Sequence, residues 1–211
     1  FMTTTQLFTD SKVRLNGMGL HHVDWGNRQL GAKMMWVHHM TGTGHVWDLV
    51  APYFRDGYHL VCPTLKGRGQ SDHAANGSYS ADDYVADLHA LVEHLGWRRF
   101  VYVGNSLGGL LGIRYASTYP NQVERLVLVD VGARIVSQPS QPGSLGDPPE
   151  TFPSRKEGEA FLRQSDRFAR LDRPAMRLVV REGFTRSSRG QWTWTYDPAL
   201  REQRRRAAEA G

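Results

Sequence analysis

Gly104-Asn105-Ser106-Leu107-Gly108 sets a serine between two glycines, each two positions away, a spacing suited to nucleophilic chemistry. A serine hydroxyl attacks a carbonyl carbon effectively when a base takes its proton and donors stabilise the oxyanion that forms. Flanking glycines let a strand and a helix approach closely around the serine, so that its hydroxyl projects from a strained turn. The elements such a turn must join are legible on either side. Phe100-Val101-Tyr102-Val103 is a short apolar run of β-formers, and Leu110 to Tyr119 reads as a helix. Ser106 Oγ would then stand above the sheet, near the positive end of that helix.

The remaining elements alternate in the manner of a mostly parallel sheet. Lys12 to Leu15 and Leu20 to Trp25 are short strands around the turn Asn16-Gly17-Met18-Gly19. Lys33 to Val37 is apolar on both faces, as a central strand would be, which makes Met34, Met35 and Trp36 sheet core. A glycine-rich loop, His38 to Gly44, follows it, and His45 to Phe54 carries apolar residues on a helical period. Tyr58 to Cys62 is a strand stopped by Pro63, and Leu65 to Asp72 is a second loop, in which Asp72 caps a turn. Ser80 to Leu95 is a helix with a serine cap, and Arg125 to Val131 is the last clear strand. His38, Ser106 and Asp130 all fall at carboxyl ends of strands, where such sheets carry their active crevice.

Composition changes at Ser137. Residues 1–136 form the α/β core, and 137–211 a linker followed by a helical cap. The stretch 137–153 holds five prolines and reads as a linker or surface loop. Helices are expected at Lys156 to Ala169, Ala175 to Glu182 and Pro198 to Ala210, with Gln191 to Tyr196 as a strand or extended arm. Residues 151–211 hold 14 Lys/Arg against 8 Asp/Glu, whereas 1–150 hold 12 against 13. These arginines are spread among acids at helical intervals, apart from Arg204-Arg205-Arg206, so a solvated face is expected rather than a nucleic-acid surface. A single cysteine, Cys62, excludes an intrachain disulfide and fits a reducing compartment. With no membrane-length apolar run and no basic-then-apolar leader, the expectation is a soluble, cytoplasmic protein with no membrane partner.

Gly104-Asn105-Ser106-Leu107-Gly108-Gly109, the His38 loop, Gly67-Arg68-Gly69-Gln70-Ser71-Asp72 and the RLVLVDVG strand together resemble the α/β-hydrolase superfamily, esterase and lipase type with a cap. The resemblance implies an eight-stranded sheet with an antiparallel N-terminal edge and Ser106 as nucleophile. It also implies an oxyanion hole from the backbone N–H groups of Met40 and Leu107. The family's glycine after His38 is here His39, which bears on the shape of that loop. In the family the triad runs serine, acid, histidine, yet all nine histidines of this chain lie at or before His94. The strands that would carry acid and base have no counterpart after the cap. The sequence therefore reads as the first three-quarters of such a hydrolase, short by about one βαβ unit and its helix, or ~60 residues.

Two residues are candidates for the missing roles. His38 is either a substitute base or a structural residue that holds its loop. Asp130 is either the triad acid or a hydrogen-bond partner of a neighbouring loop. Trp192, Trp194 and Tyr196 either line an acyl pocket or fix the cap to the core. His38, His39 and His45 could suggest a metal ligand set, but no metal site is expected, and no cofactor is needed. The expected activity is hydrolysis of small apolar carboxylic esters through an acyl-enzyme. Cleavage of carbon–carbon bonds in ring-fission products, which Asn105 before the serine resembles, is one alternative; a non-catalytic binding protein is another. A sixth strand without a neighbour would leave an open edge for self-association.

Overall fold

The computed structural model describes residues 8–26, 28–29, 31–131 and 148–209. The chain opens with a hairpin: β1 (Thr9–Leu15) and β2 (Met18–Asp24) pair antiparallel, from Thr9 opposite Asp24 to Leu15 opposite Met18. Asn16 and Gly17 turn it with φ of 50° and 80°, the left-handed pair of a two-residue hairpin loop. Asp72 does not simply cap its own turn, as the sequence suggests. Its carboxylate accepts from Gly19 N and Lys12 Nζ, both at 2.7 Å, and ties the second loop to this hairpin.

β3 (Lys33–Val37), β4 (His59–Pro63), β5 (Phe100–Asn105) and β6 (Val123–Val129) complete a six-stranded sheet of order β1-β2-β4-β3-β5-β6. β2 meets β4 antiparallel, and all pairs from β4 to β6 are parallel. This is the mostly parallel sheet with an antiparallel edge that the sequence implies, with six strands among the described residues. Alternate strand residues point to opposite faces. Met35, Val37 and Tyr102 meet α1 (Ala81–His94) and α2 (Leu107–Thr118) through Leu88, Leu91 and Leu111. Val23, Trp36, Leu60 and Cys62 build the core of the other face.

Residues 45–54 depart from the sequence reading. They form two single turns of 3-10 helix, Gly44–Trp47 and Ala51–Tyr53, rather than one helix. Pro52 explains the break, because it has no N–H for an i→i−4 bond and its ring would clash with the carbonyl four residues back. α1 begins as its sequence promises. Ser80 Oγ accepts from Asp83 N at 3.1 Å and the Asp83 carboxylate accepts from Ser80 N at 3.2 Å, a reciprocal capping box.

The C-terminal part mixes helices and strands, with more strand than the one stretch, Gln191 to Tyr196, that was expected as a strand or extended arm. It comprises β7 (Thr151–Phe152), α3 (Arg155–Leu162), α4 (Asp166–Ala169), α5 (Arg173–Gly183), β8 (Phe184–Arg186), β9 (Trp192–Trp194) and α6 (Pro198–Glu209). β7, β9 and β8 form a small antiparallel sheet, packed with α3 and α5 around Phe152, Leu162, Met176, Val180 and Phe184. Much of the proline-rich stretch, 137–147, lies outside the described residues. Bonds that fasten the cap to the core include Gly69 N to Thr195 O at 3.0 Å, Asp197 N to Gly67 O at 2.8 Å, Thr43 Oγ1 to Glu182 Oε2 at 2.8 Å, and Arg181 Nη2 to Asp48 Oδ2 at 2.6 Å. No helix among the described residues is long and apolar enough to cross a membrane.

Candidate active site

Ser106 joins β5 to α2 with φ 50° and ψ −113°, a backbone conformation that side chains avoid. Such strain costs on the order of 1–3 kcal/mol and persists only where the surroundings enforce it. Here the Ser106 N–H donates to Val129 O at 2.9 Å, and Gly109 N and Leu110 N donate back to Ser106 O. The glycines are required sterically. A Cβ on Gly104 would lie 2.3 Å from Gly108 O, and one on Gly108 would lie 2.2 Å from Val37 O. The second contact also sets the first turn of α2 directly against the end of β3, where the His38 loop begins. Asn105 Nδ2 donates to Val129 O at 3.1 Å, so this side chain braces the turn. Among the described residues the Ser106 hydroxyl has no hydrogen-bond partner.

The loop after β3 is oriented peptide by peptide. His39 O accepts from His38 Nδ1 at 2.6 Å and from Gly42 N at 3.1 Å. In a trans peptide C=O and N–H point opposite ways, so the Met40 N–H is turned away from these donors. Met40 O in turn accepts from Arg68 Nε at 2.8 Å. Arg68 is fully buried, and its guanidinium also donates to Lys66 O at 2.8 Å and to the Tyr84 hydroxyl, with the Tyr84 ring 5.0 Å away. Arg68 had no role in the sequence reading, although it lies in one of the motifs; the loop spacing carries no hint of which carbonyl it reaches. His39 adopts no positive φ, so the imidazole in place of the family's glycine leaves the backbone unstrained. Leu107 N–H, the first of α2, belongs to the group of N–H donors that a helix leaves unpaired.

His38 is a structural residue rather than a substitute base. Its Nδ1–H is engaged with His39 O, and its Nε2 accepts from Leu65 N at 3.0 Å, which leaves neither ring nitrogen for Ser106. Burial holds its pKa well below the ordinary 6.5, in agreement with a neutral ring that donates at one nitrogen and accepts at the other. Asp130 follows β6 with φ 57°, exposed at the carboxyl end of the strand beside β5; it has no hydrogen-bond partner among the described residues. Several of the other histidines are held elsewhere. His59 meets Asp24 at 3.2 Å, His73 meets Asp197 at 3.5 Å, and His89 stacks on Tyr119 at 3.9 Å.

Trp194 and Tyr196 line a cavity of about 460 Å³ with Thr151, Thr193, Ala199 and Arg201. A narrow cleft lined by Met40, Thr41, Tyr196, Leu200 and Arg201 adjoins it, which brings the cap cavity to the His38 loop. Trp192 lies apart from this lining and instead carries the Arg155 guanidinium over its ring at 4.3 Å.

The chain is similar to known proteins. The 3-hydroxybutyrate-oligomer hydrolase of Cupriavidus necator is 29% identical over 191 residues, covering 86% of this chain and 65% of that protein. The bifunctional esterase/perhydrolase of Acinetobacter calcoaceticus is 33% identical over 141 residues, covering 65% of this chain and 49% of that protein. The chain thus spans two thirds or less of the length of these relatives. An alpha/beta hydrolase structure from Novosphingobium aromaticivorans shares its fold with a TM-score of 0.79 at 24% identity, over 93% of this chain and 70% of that one. A family model for the alpha/beta hydrolase fold matches residues 34–192, from β3 through the elbow into the cap, and the chain therefore belongs to the alpha/beta hydrolase family.

Proposed function

We propose that this chain forms the core and cap of a serine hydrolase that cleaves small, largely apolar carboxylic esters through Ser106. The observation that carries the reading is the positive φ of Ser106 at the junction of β5 and α2, with the hydroxyl unpartnered among the described residues. Ser106 Oγ attacks the ester carbon, and the N–H groups of Leu107 and Met40 receive the developing oxyanion. The alcohol leaves, and water then hydrolyses the acyl-enzyme. Each proton transfer needs a base, and no histidine among the described residues is hydrogen-bonded to Ser106 Oγ. We place the base on a segment beyond β6, following the family order of serine, acid, histidine. Asp130 is the candidate acid. The relative named for 3-hydroxybutyrate oligomers brings short hydroxyacyl esters into the substrate class, in keeping with a cap cavity that combines aromatic walls with Arg201.

The test is covalent labelling with a fluorophosphonate, together with turnover of a short-chain aryl ester and of a 3-hydroxybutyrate dimer. A positioned base contributes typically 10²–10⁴-fold, so this chain alone turns over slowly. Labelling and residual turnover are both expected to vanish in Ser106→Ala. Equal rates in wild type and Ser106→Ala overturn the reading. A chain that binds the esters but is never labelled, even in the whole protein, is a binding protein instead.

A further inference from the structure

We propose that Asp10, His21 and His45 form a binding site for a divalent transition-metal ion of the zinc and cobalt class. The three residues come from β1, β2 and the turn after the His38 loop, so nothing in their sequence spacing announces them, and the expectation of no metal site is revised. Asp10 Oδ1 lies 3.2 Å from His21 Nε2 and 3.0 Å from His45 Nε2, and the three ligand atoms all fall within 4.8 Å of one another. An ion bonded at about 2.1 Å to two neighbouring ligands holds them roughly 3.0–3.4 Å apart, from octahedral to tetrahedral angles. Both short separations are already in or near that range.

The outer partners suit the same purpose. Metal-binding histidines usually donate their second ring nitrogen to an oxygen, which fixes the ring and leaves the first as a lone pair. His45 Nδ1 faces the Asp48 carboxylate at 3.0 and 3.2 Å, and His21 Nδ1 faces Thr64 Oγ1 at 2.9 Å. Thr64 Oγ1 also accepts from Gly44 N at 2.8 Å, and a hydroxyl oxygen has room for two donors. Charge favours a cation as well. Asp10, Asp48 and Glu182 bring three carboxylates to this region, and the guanidinium of Arg181 bridges Asp48 and Glu182. Two imidazoles and one carboxylate select a borderline ion over calcium or magnesium, which prefer all-oxygen sites. A bound ion would tie the β1–β2 hairpin to the turn after the His38 loop, independently of the chemistry at Ser106.

Titration of the metal-free protein with Co²⁺, followed by visible absorption, tests this, with Zn²⁺ as competitor and a thermal melt as second readout. The expected result is saturable one-to-one binding at micromolar ion, displaced by Zn²⁺, and a higher melting temperature with Zn²⁺. Asp10→Asn and His45→Gln should each weaken binding at least tenfold, while His73→Gln, a histidine outside the cluster, should leave it unchanged. The Asp10 side chain is 42% exposed, so Asp10→Asn is expected to fold even if His45→Gln does not. Absence of one-to-one binding in the wild type, or unchanged affinity in Asp10→Asn, overturns the site.

Discussion

At the residue scale the site depends on a few groups whose surroundings leave them no freedom. Arg68 is the clearest case: a buried guanidinium whose fork reaches Met40 O and Lys66 O at 2.8 Å each, and the Tyr84 hydroxyl besides. A lysine keeps the charge but presents a single point donor, so it cannot hold both carbonyls in that geometry. Arg68→Lys should therefore cost about 2–4 kcal/mol in urea denaturation, given that hydrogen bonds to charged groups contribute roughly 1.5–3 kcal/mol each. If the Met40 N–H serves the oxyanion, kcat should fall more than KM rises; a variant of wild-type stability would sink the positioning role. What could be read from sequence at this scale was whatever depends on spacing along the chain. Ser106 and its glycines stand out because strand, turn and helix are contiguous. Arg68, His21 and Asp10 do not, because their partners lie across strands that only the folded sheet brings together.

At the element scale the His38 loop is held by a neutral ring, and this makes its hold on the fold dependent on pH. The folded-state pKa of His38 lies below its ordinary 6.5, since burial penalises the charged form and Arg68 adds to the effect. As pH falls below about 6.5 the unfolded chain takes up a proton that the folded chain refuses, so this stability is complete above that value and is lost toward the lower, folded pKa. The slope for one proton is at most about 1.4 kcal/mol per pH unit. Urea midpoints of wild type and His38→Gln between pH 7.5 and 5.5 should show the steeper fall in wild type; the part common to both belongs to other buried imidazoles. Parallel curves would remove His38 from the account. Elements were legible where one local signal dominated, as with the Ser80 cap of α1 or the Asn16-Gly17 turn. Residues 45–54 kept an apolar helical period across Pro52, and there the missing backbone donor outweighed the pattern. In the cap, β9 falls within the alternating stretch 191–196 read as a strand or extended arm, whereas β7 and β8, of two and three residues, carry too little periodicity to register.

At the scale of the molecule, the parallel side of the sheet ends at β6. The far edge of β6 meets no strand among the described residues. Leu126 and Leu128 lean toward α2, near Gly112 and Gly109, while Val127 and Val129 on the opposite face are 44% and 39% exposed. Parallel strands are normally covered on both faces, and an unpaired strand with exposed valines is a template for another chain. We propose that the segment expected to carry the base seats along this edge. For this chain alone we propose association that grows with concentration. Val127→Lys sets a charge on the edge without touching the core, and a surface change of this kind alters stability by about 0.5 kcal/mol or less. Sedimentation velocity over a wide concentration range should show wild type shifting to larger species and Val127→Lys remaining monomeric, with equal melting temperatures. A wild type that stays monomeric throughout means that the edge is already covered by its own chain. A lysine variant that associates as strongly as wild type means that the contact lies on another surface. Either result would also weaken the case for seating the base-bearing segment beside β6, because a second copy and that segment are expected to compete for the same unpaired backbone groups.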